Sequence, residues 1–180
     1  MHADFIIGYL NGGIPMIAAA TQKMIEFYKG NLHDIAHFLK VWAFAKTIGE
    51  LEGLDSHTRE ILELTAVVHD IACPLCRKKY GNTSGSNQEL ESPPLVEAFF
   101  EGLPASRADV DRISWLVAHH HTYTNVESLD YQILLEADFL VNADESGYER
   151  PAIESFRRNV FRTAAGTRLL DSIYLRTENK

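Results

Sequence analysis

Apolar positions recur along this chain with the three-to-four spacing of α-helices, and small or polar residues interrupt them where helices would stop. Pro15 suits a first helical turn and Gly30 a stop, which predicts a helix running to Tyr28. Asn31 can cap a second helix, in which Ile35, Leu39, Trp42 and Ala43 share a face, up to about Glu52 and a break at Gly53. Ser56 can cap a third. Its apolar positions Ile61, Leu62, Leu64, Ala66, Val67 and Val68 thicken towards the end, and a helix apolar nearly all round is a buried one. Between Ala72 and Pro94 the pattern lapses. The stretch Gly81-Asn82-Thr83-Ser84-Gly85-Ser86-Asn87 predicts a long loop, which in a compact domain is usually functional or disordered. Pro93-Pro94 then opens a short helix through Phe100, and Ser106 with Asp109 caps another that ends near His119. Leu129 to Val141 forms a strong helix, and two more follow between Pro151 and Arg176. Strand candidates such as Phe5-Ile6-Ile7 are short and isolated, and no repeat or interdomain linker is visible. The expectation is an all-α protein, one helical bundle over residues 1–180.

Composition narrows the class of function. A chain of 180 residues can bury roughly 70% of its surface, so its core needs no disulfides. Hydrophobic residues at 46% and charged residues at 23% are ordinary globular values. Lys+Arg 17 against Asp+Glu 25 gives a formal charge of −8, which argues against bulk binding to nucleic acid or to anionic membrane. The only cysteines are Cys73 and Cys76, too few for a disulfide scaffold and compatible with a reducing compartment. Met1-His2-Ala3-Asp4 carries no Lys or Arg ahead of Phe5, a poor signal peptide, and no apolar run approaches a membrane span. These features predict a cytoplasmic protein. The aromatic and apolar segment Phe5 to Tyr28 leaves a homodimer open.

Four features carry candidate chemistry. His33 and His37 stand at i, i+4 on one helix face; His69-Asp70 closes the buried third helix; His119-His120-His121 ends the fifth; Asp138 interrupts the apolar run Leu134 to Leu140. A lone carboxylate is costly to bury, and a divalent cation removes that cost while taking neutral imidazole as a further ligand. Asp138 repeats the oddity of Asp70, since it cannot be a cap; a buried salt bridge is its competing explanation. Two His and two Asp from three helices make a mixed N/O site for Fe, Mn, Zn, Ni, Co or Mg. Cys73-Pro74-Leu75-Cys76 has CxxC spacing, but no second pair follows to complete a structural zinc site.

The order of these residues resembles that of the HD-domain metal-dependent phosphohydrolases. His37-Phe38-Leu39-Lys40-Val41, then His69-Asp70, then Ala137-Asp138 carry the resemblance, which spans about residues 31 to 145 with helices 150–178 beyond it. The segments from Lys79 to Glu89 and from His119 to Asn125 are similar to those of small bacterial HD proteins. The resemblance selects His37 over His33 and implies His37, His69, Asp70 and Asp138 as ligands of one divalent cation, one ion being favoured over two. It implies hydrolysis of a phosphoester, of a nucleotide or another small phosphorylated metabolite, by water activated at the cation. Asp70 would orient or deprotonate that water and His120 would protonate the leaving oxygen. Arg77, Lys78, Lys79 and His119 would bind phosphate, and His119 with His120 would hold any second ion. Many HD nucleotidases carry a Glu three residues after the Asp; here Cys73 stands there, so the role is either empty or moved to Glu89 or Glu91. This departure supports the alternative of a metal- and nucleotide-binding signalling module with little turnover.

Overall fold

Helices account for every regular element among the described residues, 15–176, of the computed structural model. They are α1 (Met16–Tyr28), α2 (Leu32–Leu51), α3 (Ser56–Val68), α4 (Cys73–Tyr80), α5 (Gly85–Phe100), α6 (Arg107–Val117), α7 (Leu129–Glu145), α8 (Arg150–Asn159) and α9 (Ala164–Leu170). A π-helical turn, Asp171–Leu175, continues from α9. The strand candidate Phe5-Ile6-Ile7 lies outside the described residues. No helix is long and apolar enough to cross a membrane among the described residues.

The central elements are α2, α3 and α7, each packed on the other two. Helix α3 is buried without interruption from Ile61 to Val68, and α7 from Asp130 to Val141, so both present side chains to the core all round. Burying a Leu or Ile contributes about 2 kcal/mol, and Leu62, Leu64, Ile133, Leu134 and Leu135 are all enclosed here. Around this centre α6 packs on α3 and α5, α1 on α2 and α3, and α9 on α7.

The predicted long loop is a correction. Residues 73–80 and 85–100 are helical, and only the turn at 81–84 separates them. The buried face of α5 is made by Gln88, Ser92, Val96, Phe99 and Phe100. Two of its inward positions are polar, so apolar periodicity alone misses its first half. Pro93 and Pro94 lie inside α5 and do not open it. A proline removes a backbone donor from the helix; beside Pro93 the Ser92 hydroxyl reaches the Glu89 carbonyl at 3.4 Å and occupies the acceptor the missing N–H would have served. The cap of α3 is Asp55, whose carboxylate accepts from the His57 and Thr58 N–H groups at 3.0 Å, one residue before the expected Ser56.

One ion pair ties the middle of α6 to the start of α7 and so spans the segment that carries His119-His120-His121. Arg112 donates to Asp130 Oδ2 at 3.0 Å and Oδ1 at 2.7 Å, and to Ser128 Oγ at 2.6 Å. Burial opposes the charge on Asp130, but Arg112 and Ser128 outweigh it and hold the carboxyl below its usual range. A depressed folded pKa gives stability that is present above the unfolded value of about 3.9 and is lost as pH falls through the folded one. Arg112→Met is therefore expected to destabilise by about 2 kcal/mol at pH 7. Urea unfolding of both proteins between pH 7 and pH 3 checks this, the gap closing at the acid end; a gap independent of pH would mean that lost packing, not the ion pair, is responsible.

Candidate metal centre

Two helix ends and two helix faces bring the candidate ligands together. His69 directly follows α3, and its Nδ1–H donates to the Ala66 carbonyl at 2.8 Å. His120 follows α6, and its Nδ1–H donates to the Val117 carbonyl at 2.7 Å. Both use a carbonyl left without a partner by the end of a helix, three residues back. On α2 the His37 Nδ1–H donates to Glu145 Oε2 at 2.8 Å, and Lys40 holds the other oxygen of Glu145 at 2.5 Å. All three imidazoles therefore present Nε2 to the interior, each with its tautomer set by the bond at Nδ1.

The Nε2 atoms of His37 and His69 are 3.1 Å apart. Asp70 Oδ2 lies 3.4 Å from the first and 3.6 Å from the second, and Asp138 Oδ1 lies 3.3 and 3.5 Å away. Donors with bonds of about 2.1 Å to one cation are separated by about 3.0 to 3.4 Å along the edges of an octahedron or tetrahedron. His120 Nε2 faces Asp70 Oδ1 at 3.5 Å and is fully buried without a hydrogen-bond partner. Lone pairs turned towards carboxylates need positive charge between them. The set fits a divalent cation held by His37, His69, Asp70 and Asp138, with His120 bearing on the outer oxygen of Asp70.

Electrostatics agree with that fit. Burial opposes charge on Asp70, yet His69, His120 and His37 outweigh it and hold the carboxyl well below its usual range. Burial likewise opposes charge on Asp138, and the adjacent imidazoles of His37 and His69 outweigh it and hold the carboxyl below its usual range. His37 is pushed down by burial, but Asp138, Asp70 and Glu145 together raise it to about 9. The pocket therefore draws positive charge, as a proton or as a metal ion.

The centre opens into a cavity of about 300 Å³. His33, Asp34, Arg77, Asn142, Tyr123 and Tyr148 are on its wall, with His37, Asp70 and Asp138 at its base. Of the expected phosphate-binding residues only Arg77 reaches the cavity, paired with Asp34. Lys79 is turned to Glu91 at 2.7 Å, Lys78 is exposed, and His119 stacks on Trp115 with ring centroids 4.2 Å apart. Glu89 is not on the wall: its Oε1 accepts from the His121 N–H at 3.1 Å and the Thr122 hydroxyl at 3.0 Å, which positions the histidine segment. Cys73 is on the wall as a thiol donating to Gln88 Oε1 at 3.1 Å, and burial pushes its pKa up.

The sequence singles out the run His119-His120-His121 without giving His121 a role of its own, and it does not single out Glu145, Asn142 or Gln88. Asn142 and Glu145 stand four and seven residues after Asp138, one helical stripe, so their spacing was a usable signal. The pairing of Gln88 with His121 had none, because what joins them is the packing of α5 on the end of α6.

Comparison with curated proteins finds no match, and comparison with solved structures finds none. A family model described as HD domain matches residues 34–149. That span runs from the helix of His37 through His69-Asp70 to the helix of Asp138, and the chain belongs to the HD-domain family of metal-dependent phosphohydrolases.

Proposed function

We propose that this protein hydrolyses a small phosphoester carrying few phosphate groups, at the cation site of His37, His69, Asp70 and Asp138. The observation that carries the reading is the convergence of imidazole Nε2 atoms and two carboxylates at an open cavity whose wall holds one arginine. A cation bound there supplies Lewis acidity towards phosphoryl oxygen and lowers the pKa of water. Asp70 stands between the ligand pair and His120, so it can orient the attacking water and take its proton as the water oxygen bonds to phosphorus and the P–O bond to the leaving group breaks; passing that proton on to the leaving oxygen restores the carboxylate. Arg77 exchanges Asp34 for a phosphoryl oxygen, a charge-assisted bond that favours the negative charge of the transition state. The volume of the cavity and its lone arginine favour a monophosphate of nucleotide size or smaller over a triphosphate.

The test is phosphate release by the full chain loaded with Mn²⁺, Zn²⁺ or Fe²⁺, on p-nitrophenyl phosphate and on nucleoside mono- and triphosphates. Release is expected, fastest with monoesters. Arg77→Ala is expected to raise KM about 10- to 100-fold, the loss of one charge-assisted bond. Cys73 where many relatives carry a catalytic Glu favours a second reading, a binding module with slow turnover. Tight metal and nucleotide binding without release from any ester would select it.

A further inference from the structure

Gln88 is a polar side chain on the buried face of α5, only 4% exposed, and its amide has three partners. The Thr83 carbonyl accepts from Nε2 at 3.1 Å, and since a carbonyl can only accept, the NH₂ end of the amide must face it. The oxygen end then meets the Cys73 thiol at 3.1 Å. The second hydrogen of Nε2 is directed at His121 Nε2, also at 3.1 Å. That nitrogen must accept, so the proton of neutral His121 resides on Nδ1. The backbone of Thr83 thus sets, through Gln88, the tautomer of an imidazole on the cavity wall.

Gly85 fixes the placement of the same ring. A Cβ at Gly85 would stand 2.7 Å from Cβ and Cγ of His121 and 2.8 Å from Cδ2, so any larger residue displaces the imidazole. With Gly85 against that side and Gln88 at Nε2, the side left towards the cavity carries Nδ1. Nδ1 has no hydrogen-bond partner among the described residues. By composition Asp70, His120 and His121 form a second group with metal-ligating atoms within 4.8 Å of one another. A protonated Nδ1 has no lone pair to offer, and Nε2 is already taken.

We propose that Gln88 and Gly85 hold His121 as a neutral Nδ1–H donor to an oxygen of the bound phosphoester, and that His121 is not a ligand of a second cation. The donor role rests on the phosphoester reading above; the tautomer does not. Cys73 acquires a purpose in this arrangement, since its S–H completes the amide geometry at the position where many relatives carry an acid.

Long-range ¹H–¹⁵N spectra of the zinc-loaded full chain, with the His121 signals assigned from His121→Asn, read the tautomer directly. The Nδ1–H form is expected in the parent, and the Nε2–H form in Gln88→Glu, whose carboxylate can only accept. Inorganic phosphate is expected to shift the His121 signals in the parent and not in Gln88→Glu. With p-nitrophenyl phosphate, Gln88→Glu and Gly85→Ala are expected to lower kcat/KM about 100-fold, the loss of one aimed donor, at unchanged content of the first metal. His121→Asn, which places an N–H near the former Nδ1, should retain at least ten times the activity of His121→Phe, about one donor bond. An Nε2–H tautomer in the parent, or equal kcat/KM in the parent and His121→Phe, overturns the inference while hydrolysis stands. An Nδ1–H tautomer with the phosphate shift but no hydrolysis of any ester overturns the hydrolase reading and upholds His121 as an anion donor.

Discussion

Asp70→Asn is expected to abolish phosphate release and to weaken metal binding by 100-fold or more. Loss of groups that only orient ligands already costs about 10- to 100-fold in metal affinity, so loss of a ligand belongs at or beyond the upper end. Asp70 contributes more than one contact: Oδ2 faces His37 and His69, and Oδ1 faces His120. The amide matches the carboxylate in shape but removes the charge that those lone pairs and the cation share. The effect is also readable as stability. Free metal at 100 times Kd stabilises the folded chain by about 2.7 kcal/mol, and the same concentration stabilises a variant weakened 100-fold by only about 0.4 kcal/mol. For a domain of this size the metal-induced rise in Tm should fall from about 5–10 °C to about 1 °C. Thermal melts with and without Mn²⁺ or Zn²⁺, beside metal counting, check this. An undiminished rise in the variant would place the ion elsewhere in the chain.

The second large effect is expected at Gly166→Ala, off the cavity wall. Gly166 lies in α9 close against Glu136 of α7, and a methyl group there would overlap the Glu136 carboxylate. Glu136 has no exposed surface and little freedom to give way. Its Oε1 accepts from Gln132 at 2.7 Å, from the Arg162 N–H at 2.6 Å and from the Thr163 N–H at 2.9 Å, and its Oε2 from the Thr163 hydroxyl. These bonds satisfy backbone donors just before α9 begins, where a helix has none of its own acceptors. Alanine should gain about 1 kcal/mol of helix propensity and lose more through overpacking and broken buried hydrogen bonds, a net cost of about 2–4 kcal/mol. The corresponding fall in Tm is about 5–15 °C. A double-mutant cycle with Glu136→Ala isolates the clash, since the pair should be less destabilised than the sum of the single changes. Additivity would show that Gly166 matters for some other reason.

Much of the fold was legible because its inner helices are apolar over long stretches. Ile61 to Val68 and Ile133 to Val141 show no polar face to solvent, and their burial follows from the sequence pattern. At Ser56, one residue after the cap Asp55, and near His119, two residues past the last residue Val117 of α6, the difference lies only in which residue bounds a helix. The missed first half of α5 has a different cause. Gln88 points inward because the site, and not the core, receives it, and the buried Ser92 hydroxyl is satisfied within its own helix by the Glu89 carbonyl.

The sequence by itself determined that the chain is helical, that it belongs to the HD-domain family, and that acids at 70 and 138 adjoin or interrupt apolar helical stretches, where a lone carboxylate is costly to bury. Local pattern carries such facts, because helical period and burial cost act over a few residues. Tertiary structure decided the directions of the donors. Glu145 turns His37, Gln88 turns His121, and Arg77 reaches the cavity while Lys78 and Lys79 do not. An imidazole's tautomer depends on which acceptor or donor meets its far nitrogen. For His37 and His121 that partner comes from another helix, 108 and 33 residues away along the chain, a distance over which periodicity carries no information.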